Sequence, residues 1–365
     1  MGTQVHVVLA GGGTAGHVEP ALSLADALRR RDPSIAITLL GTPRGLETRL
    51  VPARGYDLEL IPPVPIPRRP TADLVRVPTR LSRSVKAAAA VLRQKKADVL
   101  VGFGGYVAGP AYLAARRTST PIVVHEANAR PGWANRLGAR RANAVATASP
   151  DVPMRGRPIG IPLRRSVATL DRAARRPEAL AEFGLDPSLP TLLVFGGSQG
   201  SRRLNEAALG AARAFTDAGI QVLHASGRGN PLAVDLPAES PPYVIVEYLD
   251  RMDLAYAAAD MALCRAGAIT CAELTAVGLP GAYVPLPIGN GEQRLNAEPI
   301  VRAAGGLLVE DDRCTPAWMS ETLIPVLLDH ERLATMGRAA AALGHRDADE
   351  RLADLVLAVA EGRTP

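Results

Sequence analysis

Short runs of β-branched and aliphatic residues alternate along this chain with longer Ala- and Leu-rich stretches of helical period. The runs at 5–10, 35–40, 57–61, 98–103, 121–125 and 144–147 predict strands. Residues 19–31 predict a helix, because Ala21, Leu24, Ala25 and Leu28 keep the spacing of one helical face. Alternation of this kind argues for a parallel sheet between helices. The pattern breaks at 154–165, where Gly156, Pro158, Gly160 and Pro162 stand among four arginines and predict a linker. After a charged helix at 172–183 and a turn it restarts, with strands predicted at 191–195, 221–225, 243–246, 261–264, 281–284 and 307–310. Both halves open with a strand, a glycine-rich loop and a helix. The expected fold class is therefore α/β, with two Rossmann-like parallel-sheet domains facing across a cleft. A last amphipathic helix at 346–360 is expected to cross back to the first domain. The expected division is 1–163 plus 346–365 against 164–345. Residues 62–83, rich in proline and arginine, predict a long loop.

The length of 365 residues exceeds what one hydrophobic core usually serves, in keeping with two domains. The formal charge of +6 suits an anionic partner, whether nucleic acid, phosphorylated substrate or acidic membrane, and equally an arginine-rich composition. Aromatics make up only 4% and no RNA-binding signature occurs, which argues against nucleic acid. Three scattered cysteines, Cys264, Cys271 and Cys314, fit a reducing cytoplasm better than a disulfide framework or a zinc site. The start of the chain lacks the basic residues and longer apolar stretch of a signal peptide. No run approaches the roughly 20 apolar residues of a membrane span, so any membrane association is expected to be peripheral.

Five segments carry candidate chemistry. Gly11-Gly12-Gly13-Thr14-Ala15-Gly16-His17 follows the first strand and precedes a helix, as a phosphate-binding turn requires. A nicotinamide site would need an acid at the end of the second strand. That strand ends Leu40-Gly41-Thr42-Pro43, and no Gly-Lys-Ser/Thr follows the glycine loop, so neither a dinucleotide fingerprint nor a Walker loop is present. A second loop, Gly102-Phe103-Gly104-Gly105-Tyr106, again follows a strand. His125-Glu126-Ala127-Asn128 stands at a strand end, and Gly196-Gly197-Ser198-Gln199-Gly200 opens the second half. Ala266-Gly267-Ala268-Ile269-Thr270 leads into a helix whose amides and dipole favour a diphosphate, with Glu273 one turn in and able to accept from ribose hydroxyls. Gln293 and Asn296, in a polar segment after Gly289, could bond sugar hydroxyls. Each segment alone equally describes an ordinary loop-to-helix junction or a solvated loop.

Taken together these segments resemble the MurG-type N-acetylglucosaminyltransferases of peptidoglycan synthesis, within the two-Rossmann GT-B glycosyltransferases. The matching stretches are GGGTAGH (11–17), VGFGGYVAGP (101–110), HEANARPG (125–132), GGSQGSRRLN (196–205), CRAGAITCAELTAVGLP (264–280) and GEQRLNA (291–297). They keep the family's order and spacing over nearly the whole chain. Ala15 and Ala127 stand where many relatives have Gly and Gln, and Glu292 where many have a second Gln.

The resemblance implies a UDP-GlcNAc donor held by Ser198, by the helix start at Ala268, Ile269 and Thr270, by Glu273, by the backbone near Leu249 and by Gln293. Arg164 matches the family's arginine near the donor diphosphate. Thr14, Ala15, Gly16 and Asn128 would reach the donor sugar. Gly13, Gly104, Gly105 and Tyr106 would hold the diphosphate of the lipid acceptor, undecaprenyl-diphosphate-MurNAc-pentapeptide. The implied reaction is an inverting displacement that needs a general base and stabilisation of the leaving UDP. His17 is the first candidate for that base, with simple ligand binding as its rival role, and Glu126 is the alternative base. No Asp-x-Asp motif occurs near these residues, and neither metal nor cofactor is expected. A GT-B glycolipid transferase of another specificity or a UDP-GlcNAc epimerase would share the donor motifs, and a non-catalytic nucleotide-sugar or nucleic-acid binder is the reading from another class. The expected location is the cytoplasmic face of the bacterial cell membrane, with an anionic inner-leaflet surface and other cell-wall synthesis proteins as partners. The region 67–92 is expected to touch that membrane, because Arg68, Arg69, Arg76, Arg80, Arg83 and Lys86 alternate there with Leu74, Val75, Val77, Leu81 and Val85.

Overall fold

The computed structural model describes residues 4–65 and 76–363, which form two compact units, Met1–Arg164 with Asp347–Pro365, and Arg165–Arg346. In the first unit the strands are β1 (His6–Gly11), β2 (Ala36–Gly41), β3 (Asp57–Leu60), β4 (Val99–Gly104), β5 (Ile122–Glu126), β6 (Ala144–Thr147) and β7 (Arg157–Pro158). They lie in the order β3-β2-β1-β4-β5-β6-β7, and every pairing is parallel. β7 falls inside the expected linker. It pairs only Arg157 and Pro158 with β6, as an edge strand that ends in proline can.

Alternation along the central strands divides the core between two faces. Val7 and Leu9 point into one layer, closed by the helices Ala15–Arg31 and Ala348–Ala360. Val8 and Ala10 point into the other, closed by the helices Val77–Gln94 and Gly105–Thr118. The C-terminal helix thus belongs to the first core. Ion pairs hold its start, with Arg30 2.6 Å from Asp349 and Arg31 2.7 Å from Glu350.

Part of the expected loop at 62–83 is helical. A helix begins at Val77 with proline in its first turn, where the missing N–H costs nothing. Val85, counted above among the membrane-facing residues, is buried beside Ala88, Ala89 and Leu92 in the core. Arg68, Arg69, Leu74 and Val75 lie outside the described residues. No helix among the described residues is long and apolar enough to cross a membrane.

The second unit has β8 (Thr191–Phe195), β9 (Gln221–Ala225), β10 (Tyr243–Val246), β11 (Met261–Cys264), β12 (Gly281–Tyr283) and β13 (Gly306–Leu308). Their order, β10-β9-β8-β11-β12-β13, is again wholly parallel. Its core joins Leu192, Val194, Leu263 and Ala282 to Phe215, Met319 and Leu327. The unit boundaries fall one residue later than expected at both crossings. Arg164 stays with the first unit, its Nε 4.0 Å from Glu19. Arg346 stays with the second, donating to the carbonyls of Ala276 (2.7 Å) and Leu170 (2.9 Å).

Candidate active site

In each unit the strand order reverses between two central neighbours, β1 and β4 in the first and β8 and β11 in the second. Ligands of open α/β sheets bind at the carboxyl ends of such a pair. The glycine segments follow these four strands.

In the first unit β1 ends at Gly11 and the chain enters the helix Ala15–Arg31, with Thr14 as its N-cap residue. β4 passes straight into the helix Gly105–Thr118 through Gly104, whose φ of +95° strongly favours glycine. His17 joins the two loops. Its Nδ1 lies 3.0 Å from the Thr14 hydroxyl. Its other edge packs on Gly104, where a Cβ would stand 3.1 Å from Cδ2 and 3.3 Å from Nε2. Burial lowers the imidazole's pKa below the ordinary histidine value, against the charge of Glu47, which raises it. The ring is therefore neutral near pH 7, the form a general base needs.

Glu126, at the end of β5, is buried. One carboxylate oxygen accepts from the Asn128 amide at 2.9 Å, and the other from the Gly132 amide at 2.9 Å and Asn135 Nδ2 at 3.0 Å. Asn135 also accepts from Tyr112 Oη at 2.7 Å. These bonds make Glu126 the organiser of the turn that presents Asn128, and occupy the oxygens a base would use. The neighbouring His125 donates from Nε2 to the Gly160 carbonyl at 2.9 Å, and burial pushes its pKa down to about 4. Tyr106 is exposed at the start of its helix, as is Trp133 at the start of the helix Trp133–Ala139.

Gly13 is the position where the structure departs most from the expected contacts. Its amide donates to Glu47 Oε2 at 2.8 Å, so it is already satisfied from within the protein. Glu47 itself went unread in the sequence. The acid sought at the end of the second strand stands six positions beyond Gly41, and it turns inward under the glycine loop instead of outward to a ribose.

In the second unit the Gly196–Gly200 segment leads to Ser201, which caps the helix Arg202–Gly210. Ser198 is partly exposed on this segment. The helix Ala268–Val277 starts at Gly267 with no side-chain cap, and its first amide with an intrahelical partner is that of Cys271, bonded to the Gly267 carbonyl at 2.9 Å. The amides of Ala268, Ile269 and Thr270 are the unsatisfied first turn that favours an anion. Glu273 is buried beneath them and accepts from Tyr256 Oη at 2.7 Å. Leu249 is buried, which leaves its backbone as the part able to meet a ligand.

Gln293 lies on the helix Glu292–Arg302 and not in a loop, and its Oε1 accepts from the Leu286 amide at 2.9 Å. Asn296, on the same helix, donates to the Ala266 carbonyl at 3.2 Å. A cavity of about 440 Å³ opens here, lined among others by Gly196, Ser201, Arg203, Arg265 and Gln293. Arg265 ties its walls together. The guanidinium donates to Ser201 Oγ (2.8 Å) and to the Val284 and Pro285 carbonyls (3.1 and 3.2 Å), and pairs with Asp311 at 2.6 Å. Sequence reasoning quoted this arginine within its motif without giving it a role; its position one residue after β11 was the available signal. Among the described residues no cluster of His, Cys, Asp and Glu has the arrangement of a metal site.

The glycosyltransferase family 28 N-terminal domain matches residues 7–147, and the C-terminal domain of the same family matches residues 191–352. A curated relative from Streptomyces avermitilis, a UDP-N-acetylglucosamine--N-acetylmuramyl-(pentapeptide) pyrophosphoryl-undecaprenol N-acetylglucosamine transferase, is 65% identical over 96% of this chain and 98% of its own length. A protein of the same name from Acidothermus cellulolyticus is 60% identical over 98% of this chain and 99% of its own. Among solved structures, Acinetobacter baumannii MurG aligns with a TM-score of 0.79 at 28% identity, covering 97% of this chain and 99% of that one. The calicheamicin glycosyltransferase CalG4, at 21% identity and a TM-score of 0.68 over the full length of both chains, shares the fold.

Proposed function

The chain belongs to glycosyltransferase family 28, and from that premise we propose that it moves GlcNAc from UDP-GlcNAc to the C4 hydroxyl of undecaprenyl-diphosphate-MurNAc-pentapeptide. The observation that carries this reading is the 65% identity to a curated transferase of that name, which runs through both units. The enzyme is a hexosyltransferase of peptidoglycan synthesis.

In this reading the second unit holds the donor. The amides of Ala268, Ile269 and Thr270 receive the diphosphate, with the arginine-lined cavity beside them. Glu273, one of whose oxygens accepts from Tyr256, is the carboxylate for the ribose. Ser198, Gln293 and the backbone at Leu249 complete the donor contacts, and Arg164 joins them by its motif. The first unit holds the acceptor. Gly104, Gly105 and Tyr106 take the acceptor diphosphate, whereas Gly13 shapes the loop and gives its amide to Glu47. Thr14, Ala15, Gly16 and Asn128 are left for the donor sugar.

The chemistry is one displacement. The C4 oxygen bonds to the anomeric carbon of GlcNAc as the bond to UDP breaks, which turns an α-linked donor into a β-linked product. The C4 proton passes to neutral His17, and the bonding pair leaves with UDP. Charge growing on the leaving diphosphate is met by the helix N-terminus and nearby guanidinium groups.

A lipid-linked acceptor calls for a peripheral position at the membrane, and the proposed side is its cytoplasmic face. The exposed Arg83, Lys86 and Arg93 along the helix Val77–Gln94 offer a cationic surface to an anionic inner leaflet. Other cell-wall synthesis proteins are candidate partners there. Transfer of radiolabelled GlcNAc onto the purified lipid acceptor tests the assignment. Labelled disaccharide-lipid is the expected product. Turnover of UDP-GlcNAc without that product would instead mark another acceptor or an epimerase.

A further inference from the structure

Glu47 is the first residue of the helix Glu47–Ala53 and is fully buried. No lysine or arginine among the described residues pairs with it. Its carboxylate is held by three neutral donors: the Gly13 amide at 2.8 Å, the Thr42 amide at 2.8 Å and the Thr42 hydroxyl at 3.1 Å. A buried carboxylate with no counter-ion is costly, and hydrogen bonds alone have to offset that cost. Three glycines make room for it. A Cβ at Gly12 would stand 2.7 Å from Glu47 Oε1, and one at Gly41 or Gly45 would overlap the Glu47 side chain outright. The glycines of two loops thus close around one charged group. Gly12 is also the residue whose carbonyl a Cβ at Gly105 would meet at 2.8 Å, so the same packing reaches the second glycine loop.

We propose that Glu47 is a positioning residue of the transfer reaction, fixing the first glycine loop through the Gly13 amide and setting a carboxylate charge against His17. The inference rests on the reading of His17 as the acceptor's base. Two features separate it from a merely structural role. The bond to Gly13 lies one residue before the helix cap Thr14, whose hydroxyl holds His17 Nδ1, so loss of the bond loosens the imidazole's own anchor. The Glu47 charge also raises the pKa of His17 while burial lowers it. The groups around the ring are otherwise neutral: the Thr14 hydroxyl, the backbone of Gly104 and Gly105, and the Asn135 amide packed on the same Gly104. Taking the charge away should therefore make His17 a weaker base.

The test compares the full-length wild type with Glu47→Gln and Glu47→Asp. Glu47→Gln removes the charge and opposes an amide donor to one of the N–H groups. Glu47→Asp keeps the charge but is one methylene short of the loop. Both should bind UDP within about twofold of wild type, since the donor helix lies in the other unit, and both should lower kcat at least tenfold. The acid limb of the kcat profile should move to lower pH in Glu47→Gln alone. An NMR titration of His17 should show the same downward displacement without any substrate. Should Glu47→Gln fail to fold, Glu47→Asp decides through kcat. A folded variant of either kind with kcat within threefold of wild type, or a His17 titration unmoved in Glu47→Gln, overturns the proposal. A wild-type enzyme that leaves the lipid acceptor unglycosylated counts against the transferase reading instead, and the NMR titration still reports on Glu47.

Discussion

In the first unit the loop after β1 is held from below by a carboxylate, that of Glu47; in the second, the loops after β8 and β12 are held by a guanidinium, that of Arg265, one residue past β11. The two sheets share one parallel topology and put glycine segments at equivalent switch points. The buried charge beside those segments differs in sign. A guanidinium near the second unit's loops favours the negative charge that grows on a leaving diphosphate. A carboxylate under the first unit's loop disfavours an anion on the Gly13 amide and raises the pKa of the neighbouring His17. One architecture thus carries two buried charges of opposite sign, and these rather than the glycine pattern tell the two units apart.

The harshest way to break the comparison is to remove the second unit's brace. Arg265 and Asp311 are both largely buried, with 13% and 19% of their side chains exposed. Arg265→Ala should destabilise the protein by about 3 kcal/mol, because buried Asp311 loses its close partner and keeps only Arg203 at 3.8 Å. Donor KM should rise at least tenfold as the walls of the cavity separate. Thermal unfolding together with steady-state kinetics checks both. An unchanged donor KM in a folded variant would reduce Arg265 to a packing residue.

His17→Ala is the counterpart in the first unit. Loss of a general base lowers kcat by about 100-fold or more, with donor KM little changed. In the wild type the acid limb of kcat should lie below the ordinary histidine pKa, because burial outweighs the Glu47 charge. Activity rises with pH as the imidazole loses its proton and falls when acid restores it. Kinetics on His17→Ala beside Glu126→Ala distinguish the roles. Glu126→Ala should lose thermal stability through its broken bonds to Asn128, Gly132 and Asn135, and a His17 variant with near-normal kcat would return the base assignment to Glu126.

A smaller effect tests the donor side directly. Glu273→Ala should weaken UDP-GlcNAc by roughly 1.5–3 kcal/mol, the usual worth of hydrogen bonds to a charged group. Acceptor KM should stay within about twofold. The reverse pattern would assign Glu273 to the acceptor instead. Tyr256→Phe sharpens the point: it removes the phenol's bond to Glu273 Oε2 and should reproduce only a fraction of the loss.

The local chemistry of the chain made its strands and glycine loops legible, because alternation and turn residues are set by neighbours a few positions apart. β8, β9, β10 and β11 lie where their apolar runs predict. Long-range packing was not legible. Val85 reads as one of several apolar residues among arginines, and only the fold shows that it faces Leu92 and the core. β7 is too short to show a period and exists because β6 offers it an edge. The two charged braces escaped for one reason. Glu47 is separated from Gly13 by 34 positions and Arg265 from Ser201 by 64, so no motif window contains either pair.

The mildest prediction concerns a surface on which the units should also differ. Along the helix Val77–Gln94, Arg83, Lys86 and Arg93 are exposed while Val85, Ala88, Ala89 and Leu92 face the core. Their spacing keeps the cations on one side of the helix, three or four residues being one turn. Each cation near an anionic bilayer contributes about 1 kcal/mol, so removing one should weaken binding roughly fivefold. Exchange of Arg83 and Lys86 for Gln should therefore weaken sedimentation with anionic vesicles in two additive steps, leave neutral vesicles unaffected and spare transfer to a detergent-solubilised acceptor. The matched control exchanges two exposed arginines of the second unit, Arg202 and Arg213, for Gln, and should leave vesicle binding as it was. Equal losses from the two units would mean that net charge, not a face of the first unit, brings the enzyme to the membrane.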